Sequence, residues 1–208
     1  GAERWRRSLP GDYDAYLMKA MGSYQWKFSE SPLVDGDRVI VTPGHVAAVM
    51  VALDKKTGEE IWKVPAERGY YKPAGLFVTG GLVWANTRQT GSPKGVSGYD
   101  PETGKLVKQI AKNMSGHYRC YRNRITSRYY ITSESGGSDF SDFEAGTALP
   151  NPWIRSTCGI GPLPCNGLYY VGPAACSCNN NALLNAMNAL SAEPGLTRSD
   201  QPIQVKTD

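Results

Sequence analysis

The chain has no long hydrophobic run. Its longest uninterrupted apolar stretch, Val46 to Leu53, is eight residues in a sequence of 208, well short of the roughly 20 that a membrane-spanning helix needs. No transmembrane segment is expected. An excess of one charge is missing too: the formal net charge is +4, with Lys and Arg interleaved among Asp and Glu, so the basic footprint of a nucleic-acid or anionic-membrane binder is absent. No nucleic-acid partner is expected. The opening GAERWRRSLPGDYDAYLMKA lacks the apolar core of a secretory leader, which fits a leader already removed or a piece of a longer chain. Histidine is scarce, with 2 residues, and no Gly-x-Ser-x-Gly elbow or Gly-x-x-x-x-Gly-Lys loop occurs. Serine-hydrolase and phosphate-loop chemistry lose their usual sequence carriers.

Turn formers are plentiful: 23 Gly and 14 Pro, with 12 Tyr against 4 Phe. That balance suits many turns and strands with one wet face. A hairpin phrase recurs as LVDGDRVIVTP at 33–43, FVTGGLVWANT at 77–87, RNRITSRYYITS at 122–133 and LPCNGLYYVGP at 163–173. Each reads as apolar residues, a tight turn, then alternating β-branched or aromatic residues. A second phrase keeps step with it: VALDKKTGEEIWK at 51–63, SGYDPETGKLVKQ at 97–109, SDFEAGTAL at 141–149 and NAMNALSAE at 185–193. Its anchors Asp54, Asp100, Asp142 and Asn188 fall 46, 42 and 46 residues apart. Two strands around a turn, an apolar strand, an Asp-led turn and an outer strand make one four-stranded unit, which is a propeller blade. The expected fold is all-β: a β-propeller of four-stranded antiparallel blades, about four in this chain, over residues 1–190, with a polar tail over 191–208.

The second phrase has a physical reading. Asp54 accepts backbone N–H bonds two residues on, Gly58 supplies a positive φ, and the returning strand brings Trp62 to an interblade surface. Thr57 completes the turn. Asp100, Thr103 and Gly104 repeat it with Lys108 in place of Trp, and Asp142 and Gly146 repeat it with Ala145 in place of Thr. Trp153 lies three residues beyond the matching place.

ALDKKTGEEIW at 52–62 resembles the tryptophan-docking repeat Ala-x-Asp-x-x-Thr-Gly-x-x-x-Trp of quinoprotein-type propellers, the superfamily of pyrroloquinoline-quinone (PQQ) dehydrogenases and BamB-like outer-membrane assembly factors. FSESPLVDGDRVIVTPG is similar to this PQQ-like repeat. GHYRCYRNRITSRYYITSESG and WIRSTCGIGPLPCNGLYYVGPAACSC, followed by NAL, resemble a branch found in large bacterial secreted proteins. Such propellers usually close with about seven or eight blades, so the resemblance implies a small closed ring, a fragment or a partial ring completed by a partner. It also implies an extracytoplasmic binding or assembly module whose partner is a protein or the remaining blades. The alternative is a PQQ-dependent dehydrogenase of alcohols or sugars, with Ca²⁺ beside the quinone. The vicinal Cys-Cys pair of those enzymes is missing, the nearest match being Cys176-Ser177-Cys178, and no stretch matches their metal-binding motif. No cofactor is assigned.

Four of the five cysteines crowd between Cys158 and Cys178. Crowding of this kind suits an oxidising compartment, periplasmic or secreted, with disulfides drawn from Cys120, Cys158, Cys165, Cys176 and Cys178. A metal- or redox-linked propeller is the other reading, with His117, Cys120, Cys176 and Cys178 as a four-ligand set of thiolate and imidazole donors. His45, after Thr-Pro-Gly, reads as a turn residue. Arg122, Arg124 and Arg128 fall on one strand face, either solvated or anion-binding.

Overall fold

The computed structural model describes residues 1–15, 18–19, 25–26, 31–65, 75–86, 95–112, 122–133, 135–173 and 184–192. A short helix α1 (Leu9–Tyr13) opens the chain. Ser8 caps it, its hydroxyl accepting from Gly11 N–H, with Pro10 in the first turn, where the missing proline donor costs nothing. A two-stranded ribbon, β1 (Met18–Lys19) and β2 (Gln25–Trp26), follows.

Blade one consists of β3 (Leu33–Asp35), β4 (Arg38–Val41), β5 (Met50–Asp54) and β6 (Glu60–Val64), paired in chain order. Blade two repeats the meander with β7 (Phe77–Thr79), β8 (Leu82–Ala85), β9 (Gly95–Tyr99) and β10 (Leu106–Ala111). Blade three has β11 (Arg124–Ile125), β12 (Tyr129–Thr132), β13 (Asp139–Asp142) and β14 (Ala148–Leu149). Among the described residues blade four has three strands, β15 (Leu163–Cys165), β16 (Leu168–Val171) and β17 (Asn188–Ser191). Every pairing is antiparallel. The protein is thus an all-β propeller of about four blades.

Strand register makes the blades superimposable residue by residue. Asp54 pairs with Arg38, Asp142 with Tyr129, and Ser191 with Leu168, each partner opening the second strand of its blade. The fourth anchor of the repeat is therefore Ser191. Asn188 begins its strand instead of ending it, opposite Val171, which corrects the sequence spacing by three residues. The last described strand accordingly includes Ser191, where the sequence reading starts the tail.

Among the described residues, two of three hydrophobic clusters straddle a seam between blades. Ile40, Ala52 and Trp62 of blade one meet Val83, Ala85 and Tyr99 of blade two. Trp84, Val96 and Ile110 of blade two meet Tyr130 and Phe143 of blade three. In the remaining cluster Val51 and Leu53 turn to the other side of blade one, where Trp5, Leu9 and Tyr13 cover them. A blade is one sheet thick, so its apolar residues are removed from water only by its neighbours.

Candidate functional site at the blade seams

Each described Asp-led turn is built the same way. Asp54 Oδ1 accepts from the N–H groups of Lys56 and Thr57, both at 2.8 Å. Asp100 Oδ1 accepts from Glu102 and Thr103 N–H at 3.0 and 2.8 Å and from the Thr103 hydroxyl at 2.9 Å. Asp142 Oδ1 accepts from Glu144 and Ala145 N–H at 2.9 and 3.0 Å. The backbone, which any residue supplies, does most of the work, so Ala145 sustains the turn without the hydroxyl. Arg128 adds its guanidinium to Asp142 Oδ2 at 2.9 Å.

These donors favour the ionised carboxylates. Asp54 is held below the ordinary carboxylate range, chiefly by Thr57 N–H and then Lys56 N–H. Asp100 is lowered first by the Thr103 hydroxyl and then by its N–H. Asp142 is lowered by Ala145 N–H and by Arg128, against burial. None of the three is placed as a proton-transfer group.

The turns also carry the contacts between blades. Trp62 leaves β6, donates Nε1–H to Pro101 O at 2.9 Å, and lays its ring on Gly104. A Cβ on Gly104, whose φ is +68°, would lie 2.7 Å from Trp62 Cδ2. Trp5, which the sequence reading passed over, does the same one blade earlier. Its Nε1 donates to Lys55 O at 3.0 Å, and its ring covers Gly58, where a Cβ would lie 2.6 Å from Cδ2. Lys55 and Pro101 are the residues after Asp54 and Asp100. The N-terminal segment therefore meets blade one as blade one meets blade two. A signal was present in the sequence: Glu3-Arg4-Trp5-Arg6 parallels Glu60-Ile61-Trp62-Lys63, and both form a Glu-to-basic ion pair across three residues.

At the next seam the tryptophan position holds Lys108. It pairs with Gly98 across the strands as Trp62 pairs with Ala52, and its Nζ donates to Phe143 O, the carbonyl after Asp142. Lysine keeps the hydrogen bond and gives up the stacking: nothing lies within 4 Å of a Cβ built on Gly146. Aromatic packing compensates. Trp84 meets Phe143 at 4.5 Å between ring centroids, and Phe77 meets Tyr130 edge-on at 5.5 Å. Lys112, buried, donates to the Thr132 hydroxyl at 2.9 Å.

Between blades three and four, Arg124 donates Nε–H to Pro162 O at 2.9 Å and Nη2–H to Ile160 O, while Phe140 packs on Tyr169. Arg124 and Arg128 thus serve structural contacts. His45 lies in a turn, bridged to Ala48. Cys158 is half-buried and Cys165 exposed on β15, both as free thiols. The Cα of Cys165 lies opposite Leu168. Cys120, Cys176, Cys178 and His117 lie outside the described residues. Among the described residues no three His, Cys, Asp or Glu side chains gather as a metal-ligating group. The chain has no adjacent cysteine pair.

A family profile described as "Outer membrane protein assembly factor BamB" matches residues 1–119. The chain belongs to this family. Among solved structures it is similar to BamB from Moraxella catarrhalis, at 19% identity and a TM-score of 0.44, over 76% of this chain and 51% of that one. It spans about half the length of that relative. A search of curated proteins gave no match. Within the BamB-like family the seams described here are what the matched region builds: two complete blades and the N-terminal segment docked on the first. No helix among the described residues is long and apolar enough to cross a membrane.

Proposed function

We propose that this BamB-like propeller is a protein-binding module serving assembly outside the cytoplasm, in the periplasm or as a secreted protein. The family match over residues 1–119 carries this reading. The described side chains support it, because the turn carboxylates and the seam tryptophans are committed to holding blades together and leave the outward strand faces as the working surface. Ile61 on β6 and Val107 on β10 are exposed at equivalent outer-strand positions. A photo-crosslinking amino acid placed at each, in a host with an outer membrane, tests the reading. The expected result is recovery outside the cytoplasm with specific crosslinks to components of outer-membrane protein assembly. Confinement to the cytoplasm, or crosslinks indistinguishable from those of a scrambled surface position, overturns it.

A further inference from the structure

Among the described residues the Asp-led turn occurs three times with one backbone. Gly58, Gly104 and Gly146 donate their N–H groups to the carbonyls of Asp54, Asp100 and Asp142 at 2.8, 2.9 and 3.0 Å, and their φ values are +73°, +68° and +67°. Two of the three turns receive a tryptophan. Trp5 lies on Gly58 and Trp62 on Gly104, each donating its indole N–H to the carbonyl after the aspartate, Lys55 O or Pro101 O. Gly58 is accordingly buried and Gly104 half-buried. Gly146 has the same shape and no ring: it is exposed, and nothing lies within 4 Å of a Cβ built on it.

The strand that would fill this seat carries the wrong side chain. Lys108 stands in the tryptophan place and reaches Phe143 O with its ammonium, leaving the glycine bare. A carbonyl oxygen has two lone pairs, so Phe143 O can accept from an indole beside the lysine.

Charge distinguishes the open seat as well. The residue after the accepting carbonyl is Glu102 in blade two and Glu144 in blade three. Glu102 is paired with Arg38, which opens the second strand of the preceding blade. In blade two that register position holds Leu82, so it supplies no cation to Glu144, which is exposed. A bare glycine beside an exposed carboxylate suits a segment that is both aromatic and basic. The filled seat on blade one shows how such a segment is held: Arg7, two residues after Trp5, donates Nε–H to Gly58 O at 2.7 Å. Ring and guanidinium from one short segment thus grip one turn at two carbonyls.

We propose that the turn Asp142–Gly146 is a docking seat for a tryptophan-x-arginine segment of another protein, with the indole on Gly146, its N–H on Phe143 O, and the guanidinium on Gly146 O beside Glu144. The occupant's chemistry is read from the two seats already filled within the chain. The proposal rests on the protein-binding reading and names one place where a partner is held. One ring and two hydrogen bonds must offset the freedom lost by a flexible segment, so an isolated peptide binds weakly, with a Kd on the order of 1 mM.

The probe is an acetylated peptide of residues 1–8, GAERWRRS, titrated to about 5 mM into the isotope-labelled full chain and followed by the assigned amide signals in NMR. Expected are saturable shifts at Glu144 and Gly146. A peptide with Trp5→Ala binds about tenfold or more weakly. In the protein, Gly146→Ala puts a methyl where the ring must lie and removes binding, and Lys108→Trp removes it by filling the seat from within. Glu144→Lys, which leaves the turn backbone intact, weakens binding severalfold. Gly80→Ala, at a glycine of φ +58° with equally open surroundings, leaves it unchanged. Amide spectra that match the parent away from the substitution show that each variant is folded. No shift at Gly146 across the titration overturns the proposal. So does a shift that survives Trp5→Ala in the peptide, which would be charge attraction alone, or one confined to Gly58 and its neighbours, which would be exchange with the chain's own segment. Any of these outcomes leaves the crosslinking test at Ile61 and Val107 standing, so the two readings fail separately.

Discussion

At the scale of single residues, Gly104 and Gly146 form a natural control pair. Their φ values are +68° and +67°, yet one lies under the Trp62 ring and the other faces open space. Replacing each by alanine imposes the same left-handed backbone cost, about 1–2 kcal/mol. Only Gly104→Ala also drives a Cβ into an indole, so it costs more, about 3 kcal/mol or above. Urea midpoints separate the two: equal losses would mean that the ring moves aside freely. The turn carboxylates give a second expectation at this scale. Asp54, Asp100 and Asp142 are held below the ordinary carboxylate range by their N–H donors and, at Asp142, by Arg128. Their contribution is therefore present above the unfolded value of about 3.9 and is lost as pH falls through the lower folded values. Asp54→Asn keeps a side-chain oxygen for the same N–H groups, so stability near neutrality changes little while the loss as pH falls below about 4 becomes shallower. Urea midpoints measured across that window check it, and an unchanged acid slope would remove Asp54 from the account.

At the scale of the element, the outer strand of each blade is a carrier for one docking side chain. Trp5, Trp62 and Lys108 all hydrogen-bond the carbonyl after the turn aspartate of the following blade. Only the tryptophans add a ring. Lys108→Trp should therefore place an indole on the open Gly146, with Nε1–H replacing the ammonium as donor to Phe143 O. Burial of part of one face against glycine is worth about 1 kcal/mol. A rise in urea midpoint that disappears when Gly146→Ala is added would establish stacking as the cause; no rise would mean that the Trp84 and Phe143 rings already fill the seam. Hairpins and turns were legible in sequence because alternation and positive-φ glycines are local signals. Trp5 was less so: it lies in no strand, and its four-residue parallel with Glu60 to Lys63 gains meaning only from the surface it meets, 50 residues further on. The fourth anchor was misplaced for a related reason. Asn188 resembles the turn aspartate in chemistry, whereas register, a nonlocal property, assigns that place to Ser191. Arg124 likewise looks like a solvated residue until Pro162 O is brought beside it.

At the scale of the whole molecule, stability follows from how many of each blade's faces are covered. β5 and β9 are buried almost throughout, because blades one and two are covered on both sides, by the N-terminal segment, by each other and by blade three. Among the described residues blade four packs on blade three through Tyr169 against Phe140, and Val171 is the hydrophobic residue buried on its strands. In an array of units that contact nearest neighbours, opening free energies need not be equal, and the unit with the least buried apolar surface opens first. Amide hydrogen exchange by mass spectrometry should therefore find β5 and β9 slowest and β15 to β17 faster by roughly a hundredfold or more. Uniform exchange across all four blades would show a single cooperative unit, with the seams strong enough to pass stability from blade one to blade four.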